Sequence, residues 1–152
     1  MAQVEATTER VVQAAPERVF AALADYTGTR GRLLTEQFSE YEVQEGGSGA
    51  GTLVHWKLQA TEKRIRDILF AVTEPTAGQL VETDRNSSMV TTWTVTPAGE
   101  SRAKVVTSTT WTGAGGIGGF FERTFAPKGL NRIYDAVLAK LAAEVEKSEG
   151  EK

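Results

Sequence analysis

The chain has 152 residues, of which 40% are hydrophobic and 24% charged, with a net charge of −3 and a pI near 5.3. This composition fits one globular domain and excludes two partners: no apolar run approaches the roughly 18 to 20 residues that cross a bilayer, and no concentrated basic face is present to hold a nucleic-acid backbone. Without cysteine there is no disulfide, no thiolate nucleophile and no Cys-based metal site.

The N-terminal MAQVEATTER lacks the basic and apolar regions of a secretory signal, so a cytoplasmic location is expected. Residues 4–13, VEATTERVVQ, alternate as a strand does; with Glu5, Thr7 and Glu9 in solvent, Val4, Ala6, Thr8, Arg10 and Val12 face inward. An inward Arg10 must meet an acid, a ligand anion or water, unless the strand is bulged or frayed there and Arg10 reaches solvent. PERVFAALAD opens with Pro16 and carries Val19, Phe20 and Leu23 at helical spacing, which predicts a short amphipathic helix. TGTRGRLL, with two glycines, suits a broken turn or a second short helix.

From Glu36 to about Thr112 the period is that of strands. The runs EQFSEYEVQE, GTLVHWKLQA, RIRDILFAVTE, QLVETDR, MVTTWTVT and RAKVVTSTTWT, joined by short turns, predict a six-strand antiparallel meander. Lys63, Arg64 and Arg66, interleaved with Glu62 and Asp67, read as a solvated strand face. The turn in EGGSGAGT lacks the Lys and Ser/Thr of a phosphate-binding P-loop and the spacing of a dinucleotide fingerprint. It is therefore a hairpin, in which positive φ angles and a bulge let the sheet bend.

Parity assigns the side chains of these strands to faces. Lys57 and Gln59 outside put His55 outside and turn Val54, Trp56 and Leu58 inward, which argues against a buried catalytic triad. Glu82 and Asp84 share one face, read as solvated, with Val81 and Thr83 on the other. Met89, Thr91, Trp93 and Val95 form one inward set, and Val105, Thr107, Thr109 and Trp111 another. Hydroxyls beside indoles suit a lined, partly wet pocket, or else threonines that bond to one another across strands in an ordinary core.

After GAGGIGG the period returns to 3.6, with Leu130, Ile133, Tyr134, Val137, Leu138, Leu141 and Val145 on one face of a long helix over residues 127–147. Phe120, Phe121 and Phe125 before it form either a mobile lip or a plug on the helix start. The order is an α+β protein, β-α-α-β6-α, with one domain over residues 1–147 and a charged tail at 148–152.

The strand-turn VQAAPERVF, the glycine-rich second hairpin and the closing LNRIYDAVLAKLAAEV resemble the START-type, pollen-allergen-like SRPBCC superfamily, and within it the polyketide cyclase/dehydrase-like group. The resemblance implies a helix-grip fold, a curved seven-stranded antiparallel sheet wrapped around the C-terminal helix with a hydrophobic cavity between them. Many members carry a tryptophan just after the first helices; DYTGTRGRLLTEQF has none. The expected function is binding or transport of a hydrophobic, lipid-like or polyketide-like molecule in that cavity. Arg10, Tyr41, Trp56, Trp93, Thr107, Thr109, Trp111, Phe121 and Tyr134 are the expected ligand-binding residues. A polyketide cyclase or aromatase, and a co-chaperone-like interaction module with a filled interior, are the alternatives. No cofactor or metal is expected, no catalytic residue is singled out, and the oligomeric state stays open.

Overall fold

The structure is a computed structural model and describes residues 2–61, 64–113 and 127–150. Its elements are β1 (Ala2–Val12), α1 (Pro16–Ala24), α2 (Thr29–Arg32), β2 (Phe38–Glu45), β3 (Leu53–Thr61), β4 (Arg64–Thr73), β5 (Gln79–Asp84), β6 (Val90–Pro97), β7 (Ala103–Gly113) and α3 (Pro127–Gly150). The seven strands form one antiparallel sheet in the order β1-β7-β6-β5-β4-β3-β2. The meander from β2 to β7 is thus extended at its far edge by the N-terminal strand, with Ala2 opposite Gly113 and Val12 opposite Ala103. The sheet is open and curved and holds the C-terminal helix, which is the helix-grip arrangement. Among the described residues no helix is long and apolar enough to cross a membrane.

The apolar stripe of α3 supplies one side of the core: Leu130, Tyr134, Val137, Leu138, Leu141, Ala142 and Val145 are all buried. The facing side comes from the alternating residues of the sheet, among them Val54, Trp56, Leu58, Ile68, Phe70, Leu80, Met89, Trp93, Val105 and Trp111. Each large apolar side chain so enclosed contributes about 1.5 to 3 kcal/mol. Val19 and Leu23 of α1 close one end. α3 continues past residue 147 to at least Gly150, since neither Ser148 nor Glu149 breaks a helix.

The glycine-rich hairpin between β2 and β3 is fastened to the α1–α2 corner by its backbone. Tyr26 N donates to the Gly47 carbonyl and Gly49 N to the Ala24 carbonyl, each at 2.9 Å. Gly46 has φ +68° and Gly47 φ +139°; a Cβ on Gly46 would meet the Gly51 carbonyl oxygen at 2.8 Å, and one on Gly47 the Thr27 methyl at 2.6 Å. Bulges in β2, between Ser39 and Glu42 and between Val43 and Glu45, accompany the bend.

Arg10 keeps the inward register, opposite buried Val105, and reaches solvent, the alternative its sequence left open, because an edge strand lets a long side chain hold its charge in water. Two expectations are corrected. Arg66 is buried at 8% exposure rather than solvated; burial lowers its pKa, opposed by the charge of Asp84. Glu82 and Asp84 face the interior, at 0% and 3% exposure, while Val81 and Thr83 take the outer face. Phe120, Phe121 and Phe125 lie outside the described residues.

Candidate functional site

The short run from α1 into α2 turns a charged side chain into the core. Asp25, at the C-terminus of α1, accepts from Gly28 N at 3.1 Å, Thr29 N at 3.0 Å and the Thr29 hydroxyl at 3.2 Å. These bonds, the Thr29 amide first among them, hold its pKa below the ordinary carboxylate value, and they fix a one-turn helix that aims Arg30 inward. Arg30 is 3% exposed. Its guanidinium donates to Glu82 Oε2 at 2.9 Å and to the Leu23 carbonyl at 3.0 Å. It also lies between two aromatic faces, 4.7 Å from the centre of Tyr26 and 4.8 Å from that of Trp93.

Glu82 is the acceptor at the centre. Besides Arg30 it takes the Tyr26 hydroxyl at 2.5 Å and Trp93 Nε1 at 2.9 Å. Burial alone would lower the Arg30 pKa; the Glu82 charge and the nearby tyrosines outweigh it and hold the guanidinium above its ordinary value. Burial, then the Glu82 charge, pushes Tyr26 well above the ordinary phenol value. Tyr41 Oη donates to the Tyr26 carbonyl at 2.6 Å, and burial raises it to about 12.

A second layer lies on β6 and β7 under α3. Tyr134 meets Trp93 edge to face at 5.6 Å, and burial raises its hydroxyl to about 12 despite hydrogen bonds with Thr91 and Thr109. The Thr91 and Thr109 hydroxyls bond each other at 2.9 Å. Thr107, opposite Trp93 in the register, has a buried hydroxyl with no hydrogen-bond partner among the described residues. On the other side Trp56 stacks on Tyr41 at 5.9 Å and meets Phe38 and Phe70 edge to face, and its Nε1 is likewise buried without a partner.

Of the expected binding residues, then, the structure groups Trp93, Thr107, Thr109 and Tyr134 in one layer and Tyr41 with Trp56 in a second, joined through Tyr26. Trp111 is buried near the β1 edge, opposite Val4. Arg10 joins neither layer, and Phe121 is outside the described residues. The three tryptophans are 0 to 1% exposed, so their rings are packed on every side. His55 sits on the outer face and pairs with Asp67, as its parity requires. Among the described residues no three His, Cys, Asp or Glu side chains gather to hold a metal ion.

Clefts open at the margins of this core. One of about 630 Å³ lies between α3, the turn before β2 and the end of β3, lined by Thr35, Glu36, Gln37, Gln59, Gly129, Arg132, Ile133, Ala136 and Lys140. Another of about 390 Å³ runs between α1 and the ends of β5 and β6, lined by Pro16, Phe20, Val95 and Pro97 among others.

A curved antiparallel sheet gripping a long helix, with aromatic and hydroxyl groups layered between them, defines a helix-grip protein of the START and pollen-allergen type. The chain belongs to the family described as polyketide cyclase / dehydrase and lipid transport, which it matches over residues 3–146. It is similar to the solution structure of KanY protein, at 49% identity and a TM-score of 0.87, over 96% of this chain and 99% of that one. At 18% identity it shares its fold with the Zhui aromatase/cyclase from a Streptomyces species, with a TM-score of 0.69 over 96% and 95% of the two chains. At 14% it shares it with norcoclaurine synthase from Thalictrum flavum, solved with dopamine and hydroxybenzaldehyde, with a TM-score of 0.68 over 96% and 88%. No curated protein matches the sequence.

Proposed function

We propose that this protein binds a hydrophobic small molecule that carries a hydrogen-bonding group, taken in between the concave face of the sheet and α3. Thr107 carries this reading. A hydroxyl buried at 1% exposure without a partner costs about 1 to 3 kcal/mol, and a fold shaped for stability alone would place valine there. A ligand carbonyl or hydroxyl would supply the missing bond. The family includes lipid transport, and norcoclaurine synthase holds aromatic small molecules on the same fold, which supports the same reading. Because the tryptophans are enclosed, the ligand makes its room by moving α3 from the sheet, and binding is coupled to that movement.

Thr107→Val tests this directly. It is expected to raise the unfolding free energy of the ligand-free protein by about 1 kcal/mol and to weaken binding, read by denaturant unfolding and by calorimetric titration with alkyl and aromatic polyketide-like molecules. A variant that gains stability and binds as the wild type does would remove the ligand from this position.

A cyclase or aromatase reading draws on Tyr134. Held neutral by burial, with a pKa near 12, its hydroxyl can donate to a ketone oxygen as negative charge develops there during ring closure. The fold shared with the Zhui aromatase/cyclase supports this reading too. Tyr134→Phe in a reconstituted polyketide synthase would alter the products if it holds, and leave them unchanged if it does not.

A further inference from the structure

We propose that the ligand has an anionic end and that Arg132 and Lys140 of α3 receive it at the mouth of the 630 Å³ cleft; this rests on the binding role proposed above. Two cations and one acid, Glu36, line that cleft, so it is locally positive in a chain of net charge −3. Arg30, Arg32, Lys57 and Lys104 are each paired with a carboxylate. Arg132 and Lys140 are exposed, and neither is paired with a carboxylate among the described residues.

The interior already holds two carboxylates, Glu82 near Arg30 and Asp84 near Arg66, and does not suit a further negative charge. Arg30 of the buried layers is already engaged by Glu82, and a ligand carboxylate brought beside it would lose its hydration and meet the Glu82 charge. At the mouth the charge stays in water. Arg132 and Lys140 stand eight residues apart, about 12 Å along the helix, within the combined reach of two extended side chains. Between them half-buried Ile133 packs against the core, so the cleft adjoins the apolar interior that a ligand would enter as α3 moves. The ligand class is therefore an amphiphilic acid, with its carboxylate at the rim and its hydrophobic part directed at the sheet. The cation expected of Arg10 is supplied from α3.

The test is calorimetric titration of the full chain with two matched pairs, a medium-chain fatty acid and its methyl ester, and an aromatic carboxylic acid and its methyl ester. In at least one pair the acid is expected to bind about ten-fold more tightly than the ester, with the advantage falling as salt is added. Arg132→Gln with Lys140→Gln is expected to abolish that advantage and leave ester binding unchanged; both side chains are exposed, and an unchanged melting temperature would confirm that the variant folds. Equal binding of acid and ester, or acid binding untouched by the double substitution, overturns the anionic end while leaving the binding role standing. No binding by any of the four molecules overturns both.

Discussion

Arg30 has two aromatic faces, a carbonyl and a carboxylate around it, and removing any one partner leaves a buried charge short of compensation. Glu82→Gln is expected to destabilise the fold by about 3 to 5 kcal/mol in urea unfolding, whereas Glu82→Leu combined with Arg30→Met should recover most of that loss. A single substitution that costs less than 1 kcal/mol would show that the pair is not held as described. Glu82 was legible in the sequence through a signal that lay in its neighbour. Asp84 and Met89 face each other across a four-residue turn, so Glu82 stands opposite Thr91, and an inward Met89 and Thr91 force Glu82 and Asp84 inward. Reading Val81 as the inward residue set one strand against the next. Arg30 was not legible, because a charged residue in a one-turn helix, with Gly28 before it and Gly31 within it, carries no period, and its direction is set by Asp25 and the sheet beyond.

The hairpin and the corner show how one element holds another in place. Gly46 and Gly47 adopt positive φ where a Cβ would strike a backbone oxygen or the Thr27 methyl, and the loop's carbonyl and amide fasten the segment that presents Tyr26 to Glu82. Gly46→Ala is expected to destabilise the protein by at least 1 to 2 kcal/mol and, by loosening Tyr26, to raise tryptophan hydrogen exchange at Trp93 Nε1. Wild-type stability with this variant would contradict the role of the loop. The strands and α3 were legible because their apolar residues follow periods of 2 and 3.6 against a solvated face. Arg66 was misread because a buried cation breaks that alternation; the charge of Asp84 opposes the cost of its burial.

Of the chain's three tyrosines Tyr26 and Tyr134 are buried and Tyr41 is half-buried against them, so alkaline stability reads much of the core at once. Tyr41 and Tyr134 move from 10 to about 12, and Tyr26 is raised as well, each chiefly by burial. Below pH 10 the folded and unfolded chains are both protonated at these groups, and the stabilisation is complete. Between 10 and 12 the unfolded chain releases protons that the folded chain keeps, so stability falls as pH rises. Tyrosinate absorbance should stay low through pH 10 and rise together with unfolding; a midpoint near 10 in protein that is still folded would contradict the packing. At this scale the helix-grip order was readable from the element sequence alone, while the enclosure of the tryptophans was not, since periodicity tells which face a ring takes and not how closely its neighbours approach.

The strand order also bears on how the chain is made. β1 leaves the ribosome ahead of the whole meander, yet its neighbour in the sheet is β7, the last strand to be synthesised, and α3 follows later still. Through most of translation an 11-residue strand waits without its partner, open to pairing with other nascent chains. The charges of Glu5, Glu9 and Arg10, all exposed along it, suit a segment that must stay dissolved until the rest of its sheet arrives.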